Sequence, residues 1–206
     1  MSLSPETLAN LATRIDLRKA AVLLVEASSQ GMDVLAQVFS GFGAKALLRA
    51  SSFEEAKEIA HREVLDLVVC EAALKPGEAD GYEFAHWLRR SGLEPNAFAP
   101  MIVLSSHTSR RNVVRARDCG AHFVVSKPLV PAILLERILW IARTNRIFVN
   151  CDSYIGPDRR FQMLGPPADM EGRRSTDLVG ELGAARDPNM AQDEIDNLMR
   201  PQRVAL

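Results

Sequence analysis

Five short apolar runs recur along the first two thirds of the chain: AVLLVE (21–26), AKALLR (44–49), DLVVCE (66–71), MIVLSS (101–106) and HFVVS (122–126). Their apolar residues are consecutive rather than alternating, the pattern of parallel strands covered on both faces. Helical stripes fill the intervals. Val34, Leu35, Val38, Phe39 and Phe42 form the first. Ser52 caps a second that starts at Phe53, with Glu55 in the capping-box position. Tyr82, Phe84, Ala85 and Leu88 mark a third, and Val113, Val114 and Ala116 a fourth. Ile133, Leu134, Ile138, Leu139 and Ile141 mark the last. Five β-then-α units predict an α/β fold with a doubly wound, five-stranded parallel sheet and right-handed crossovers. Such a sheet places its site at the carboxyl ends of the strands.

The pattern changes at both ends. Residues 1–19 read as a short helical extension, with Ser4 as N-cap, Pro5 at the first helical position and Leu8, Leu11 and Ile15 on one stripe. The sheet-forming domain is assigned to 20–147. From 148 to 206 come GPDRR, LGPPADMEGRR and ARDPN, with few large apolar residues. Such composition buries too little surface to offset its ordering entropy, so 148–206 is expected to be a mostly flexible tail with one short helical motif at 190–199.

Composition narrows the function. Lys and Arg number 25 and Asp and Glu 26, giving a net charge of −1 and no general attraction for nucleic acid or anionic membrane. No run of about 20 apolar residues is present to span a bilayer, and the amino terminus lacks the apolar core of a secretory signal. Cys70, Cys119 and Cys151 lie far apart, without metal-ligand spacing. They read as reduced thiols of a cytoplasmic protein that binds no structural metal.

Candidate chemistry gathers at the strand ends. The first strand ends in Glu26, the third in Glu71, the fourth in Ser105, and the fifth runs into Lys127-Pro128. Singly, a strand-terminal Glu is usually solvated and Lys-Pro is usually a turn. Together the topology brings two acids, a hydroxyl and a lysine to one crevice.

The stretch 20–147 resembles the receiver domains of two-component response regulators, which have a flavodoxin-like (βα)5 fold. PMIVLSSHTSRRNVVRARDCGAHFVVSKPL resembles that family's fourth strand, fourth helix and fifth strand. On this resemblance Ser105 takes the switch Ser/Thr position, Lys127 the lysine position, and Glu71 the phosphoacceptor position. The separations, 22 residues from Ser105 to Lys127 and 45 from Glu26 to Glu71, fit. Three departures matter. The acceptor is Glu71 instead of Asp. The acidic pair that helps hold Mg²⁺ reads Glu26-Ala27, so Mg²⁺ binding is expected to be lost. Val124 stands where an aromatic switch residue is common, with Phe123 on the opposite face. Either the longer Glu71 reaches Lys127 and Ser105 and stands in for a phosphoryl oxygen, or the pocket has decayed and Glu71 is a solvated acid.

Two features of the tail are candidates. Arg159-Arg160 and Arg173-Arg174 are doublets that can grip phosphates or a nucleotide; their interleaving with acids favours solvated arginines paired with Asp158, Glu171 and Asp177. AQDEIDNLM (191–199) resembles the amino-terminal peptide of the flagellar motor switch protein, which docks on the chemotaxis receiver. Gln192, Glu194, Ile195, Asp196 and Leu198 match, and Met199 replaces the final Leu. Ile195, Leu198 and Met199 would form one apolar helix face. The expected site is a receiver face made by the fourth helix, fifth strand and last helix, with the polar residues meeting Arg110, Arg111 or Arg115. A chance acidic turn is the alternative.

The reading is a non-catalytic signalling or adaptor protein of the two-component or chemotaxis type, acting through a phosphorylation-independent receiver. Its expected partner is a protein: a chemotaxis-type receiver, a sensor kinase or a motor component. The alternatives are a genuine phosphoryl-accepting regulator and a cyclic-dinucleotide-responsive receiver working through the tail arginines. No Gly-rich phosphate loop follows the first strand and no nucleophile–base pair is evident, so an enzyme is not expected. No helix-turn-helix follows the receiver, so no DNA contact is expected.

Overall fold

The structure is a computed structural model describing residues 16–75, 77, 79–144, 146–163, 189–199 and 202–204. Its centre is a parallel sheet of β1 (Ala21–Val25), β2 (Ala46–Ala50), β3 (Leu67–Glu71), β4 (Met101–Ser105) and β5 (Phe123–Ser126), ordered β2-β1-β3-β4-β5. The pleat sends alternate residues to opposite faces. Val22, Leu24, Val69, Ile102 and Leu104 pack against α1 (Ser29–Gly41) and α5 (Pro131–Arg143) through Leu35, Phe39, Leu134 and Ile138. Leu23, Val25, Val68, Cys70, Val103 and Val124 pack against α2 (Phe53–Arg62), α3 (Gly81–Arg90) and α4 (Arg110–Asp118). Double coverage explains why the strands read as continuous apolar runs.

Local chemistry fixes where the helices begin. Ser28, Ser52 and Ser109 cap α1, α2 and α4 by accepting backbone N–H groups, and Asp80 with Glu83 closes a capping box on α3. The Glu55 N–H donates to the Ser52 cap, but its carboxylate accepts from Ser51 rather than from the cap residue's own N–H. The expected amino-terminal helix falls largely on 1–15, outside the described residues, and Asp16–Lys19 is not helical.

The expectation of flexibility from 148 onward is corrected at 148–163. β6 (Phe148–Cys151) and β7 (Tyr154–Pro157) form an antiparallel hairpin around Asp152 and Ser153. Phe148 anchors it: its ring meets Phe98 edge-on at 5.3 Å, lies 5.6 Å from His122, and carries the Arg89 guanidinium 5.2 Å above it. The approach needs two glycines. Gly120 has φ +89°, and a Cβ there would fall 2.5 Å from the Ile155 carbonyl, while one on Gly156 would fall 2.8 Å from Gly120 Cα. β8 (Arg160–Met163) then pairs in parallel with β9 (Gln202–Val204). Between them, α6 (Gln192–Met199) packs against β5 and α4.

Candidate functional site

The sheet delivers Glu26, Glu71 and Lys127 to one point. Glu26 follows β1, Glu71 ends β3 and Lys127 follows β5. The Lys127 ammonium lies 2.8 Å from Glu26 Oε2 and is also in ion-pair contact with Glu71 Oε2. Glu26 and Glu71 are each only 4% exposed. Glu26 Oε1 accepts the Ser28 N–H at 2.9 Å, so each of its oxygens is held. Burial pushes the Glu71 carboxyl up from its ordinary range; Lys127 opposes this and Glu26 adds to it. Burial works to lower Lys127, but the two carboxylates outweigh it and the ammonium is raised.

Ser105 stands at the next strand end, and its carbonyl accepts the Lys127 N–H at 2.9 Å. Its buried hydroxyl donates to the His107 carbonyl at 3.0 Å and accepts the His107 N–H at 3.1 Å. Tyr82, read from the sequence only as a core position of α3, is buried, and burial pushes its hydroxyl above the ordinary phenol range. Its ring is capped by the Arg115 guanidinium at 4.7 Å, and Arg115 pairs with Asp80 at 2.6 Å.

The family profile described as "Response regulator receiver domain" matches residues 22–139, more than half of the chain. This chain belongs to the response regulator receiver family. A putative response regulator from Chloroflexus aurantiacus J-10-fl has a similar structure, at 27% identity and TM-score 0.55, covering 60% of this chain and 98% of that one. The signal receiver domain of a signal transduction histidine kinase from Syntrophus aciditrophicus is similar at 26% identity and TM-score 0.51, covering 64% and 99%. Vibrio cholerae chemotaxis protein CheY4 shares the fold at 22% identity and TM-score 0.54, covering 59% and 98%. No curated protein matches the sequence.

Against the receiver pattern, the donor set fits Mg²⁺ poorly. The ion requires near-octahedral oxygen coordination. Here Glu26 is bonded through both oxygens, Glu71 faces an ammonium, and half-buried Ala27 brings no side-chain oxygen. Among the described residues no group of three His, Cys, Asp or Glu side chains is placed to hold a metal.

The receiver face of α4, β5 and α5 carries α6. Gln192 Oε1 accepts the Ser126 N–H at 2.9 Å and the Ser126 hydroxyl at 3.0 Å, and Gln192 Nε2 donates to the Val124 carbonyl at 3.0 Å. Asp196 accepts a second Gln192 Nε2 bond at 3.0 Å and ion-pairs with Arg137 of α5. Ile195 and Met199 are buried in the cluster containing Val124, Val113 and Ala116, with Leu198 half-buried beside them. Glu194 is exposed and accepts the Ala191 N–H at 3.1 Å. The expected polar contacts with Arg110, Arg111 and Arg115 are therefore corrected: Asp196 meets Arg137 and Gln192 meets the β5 backbone. Upstream, Met190 N donates to Thr108 O at 2.8 Å and Thr108 Oγ1 donates to Met190 O at 3.0 Å.

Of the arginine doublets, Arg159 is folded onto the receiver. It stacks 3.8 Å over Tyr154, donates to the Arg117 carbonyl at 2.8 Å, and pairs with Asp118 at 2.8 Å. Arg160 lies on β8. Arg173 and Arg174 lie outside the described residues. Thr108, Ser126 and Arg137 join the site although sequence reasoning did not single them out. Arg137 carried a signal, as a cation amid the apolar positions of α5. Among the described residues no helix is long and apolar enough to cross a membrane.

Proposed function

We propose that this protein is a non-catalytic cytoplasmic signalling module of the two-component or chemotaxis type, whose receiver is held in one state by its own Glu71 and acts through protein contacts. The observation that carries the reading is the Lys127 ammonium between the buried carboxylates of Glu26 and Glu71. In a phosphorylated receiver that lysine would meet a phosphoryl oxygen. Here a carboxylate one methylene longer than Asp meets it already. Charge-assisted contact of this kind is strong and persistent in a partly dry pocket. A phosphoryl group entering at Glu71 would need to displace Lys127 without a competent metal set. Intact-mass measurement after incubation with acetyl phosphate and Mg²⁺ tests this: no added phosphate is expected. A stoichiometric adduct within the receiver would establish the phosphoryl-accepting alternative.

A further inference from the structure

His122 immediately precedes β5 and is buried. Its backbone N–H donates to the Met101 carbonyl at 2.8 Å, and its Nδ1 accepts the Met101 N–H at 3.2 Å. Nδ1 thus keeps its lone pair, and the ring is a neutral imidazole with its proton on Nε2. The hairpin covers this ring through Phe148 of β6, at 5.6 Å. Cations crowd the same place. Arg89, buried on α3, lies over Phe148 and donates to the Gly120 carbonyl at 3.1 Å and the Ala97 carbonyl at 2.9 Å. Arg146, just before β6, donates to the Asp158 carbonyl at 2.9 Å. Arg159, after β7, acts on Arg146 as a further cation, and the Asp158 carboxylate offsets it. The Tyr154 phenol of β7 acts on both Arg89 and Arg146, and the Cys119 thiol at the end of α4 acts on Arg89. Burial, then Arg89 and Arg146, hold His122 well below the ordinary histidine range.

We propose that the β6–β7 hairpin is an acid-released strap, closed over His122 while the imidazole is neutral and detached once the ring is protonated. A proton on Nδ1 sets donor against donor at the Met101 N–H, and it adds a charge to a dry pocket already holding Arg89. Folding the hairpin back admits water to the ring and removes both costs. The hairpin is the element free to move. Its strands bond each other and not the central sheet, and the receiver match ends at residue 139, before β6 begins. Such local opening leaves the sheet and its core in place. The open state bares Phe148 and the Phe98 ring it covers, beside exposed Ile147, so acid turns a covered apolar face into a presented one. The direction follows from linkage. The closed state takes the ring proton less readily than the open state, so closure is complete above the ordinary histidine value. It weakens as pH falls below that value, by up to about tenfold in the open-to-closed ratio per pH unit, until the closed-state value is passed. His122 precedes β5 and Lys127 follows it, so this device and the crevice cluster lie at opposite ends of the strand and operate separately.

The test uses the full chain and compares amide-exchange protection factors at pH 7.5 and pH 5, with the His122 ring nitrogens followed by NMR. Protection in 148–157 is expected to fall at least tenfold at pH 5, while protection in β1 changes less than twofold. His122→Asn keeps an acceptor for the Met101 N–H but takes no proton, and is expected to lose less than twofold in 148–157. Unchanged wild-type protection, or an equal loss in His122→Asn, would overturn the proposal. So would a parallel loss in β1, which marks unfolding of the whole domain, or a cationic His122 ring at pH 5 beneath a fully protected hairpin. Should His122→Asn already lack protection at pH 7.5, Arg146→Gln decides. It removes one of the cations acting on the ring and keeps a donor for the Asp158 carbonyl. A smaller acid-induced loss than in wild type supports the strap, and an equal or larger one overturns it.

Discussion

Lys127 and Glu71 are joined across the crevice at the carboxyl end of the sheet, with Glu71 buried and Lys127 partly so. Glu26 completes the group from the other side. Two buried acids share one cation, so the cluster depends on Lys127 more than on either carboxylate.

Lys127→Met is therefore expected to destabilise the fold by about 3 kcal/mol at neutral pH, the usual cost of stranding buried charge. The pH dependence follows from the directions of shift. Lys127 is raised, so its contribution is complete below its unfolded value and lost as pH rises through the folded one. Glu71 is also raised, so the folded state prefers it protonated and its contribution falls as pH rises through its folded value. The Lys127→Met deficit should thus shrink as pH drops through the carboxylate range. Lys127→Met/Glu71→Gln should recover most of it at neutral pH. Urea denaturation at several pH values measures both.

Gly120→Ala is expected to cost about 2 kcal/mol or more, because a left-handed backbone is combined with a clash against the hairpin. Amide exchange in 148–157 should accelerate in this variant more than exchange in β1 or β3, showing that the hairpin detaches first.

The thiols should separate cleanly. Burial pushes Cys119 up to about 12 and holds Cys70 well above the ordinary thiol range. Exposed Cys151 is lowered, chiefly by its contact with Ser153. Iodoacetamide at pH 8 is expected to modify the native chain once, at Cys151, as read by peptide mass. Rapid labelling of Cys70 or Cys119 would contradict the packing around β3 and α4.

Gln192→Ala should expose the Ser126 N–H, its bonding partner on the sheet edge. Loss of bonds at a part-buried site predicts a stability decrease of about 1 kcal/mol. Amide exchange at Ser126 is expected to rise at least fivefold, with little change at Val103 in the sheet interior.

The five βα units were legible because every strand is covered on both faces and every helix has one apolar stripe. Glu26, Glu71, Ser105 and Lys127 were legible from their place at strand ends, and three of them meet. Ser105 was not readable to the same depth: its hydroxyl is satisfied by His107 in its own loop, a contact that depends on local backbone geometry. The hairpin was missed because its glycine and proline content was counted, whereas its stability comes from Phe148 packing on Phe98, His122 and Arg89 far away in sequence. The partners of α6 were misassigned for a related reason. Charge patterning pointed Asp196 at the α4 arginines, but the helix lies with Gln192 toward the β5 backbone, which carries no side-chain signature in the sequence.

Ser126 and Lys127 are consecutive, and each is tied to a different region: Ser126 to Gln192 on α6, Lys127 to the acids of the crevice. One peptide bond therefore separates the two sets of bonds. Thermodynamic reciprocity governs whatever coupling this adjacency carries. By whatever factor seating of α6 changes the proton affinity of Lys127, the protonation of Lys127 changes the seating of α6. A coupled pair would make the acidity of a crevice lysine a gauge of whether a helix lies on the other side of that peptide bond.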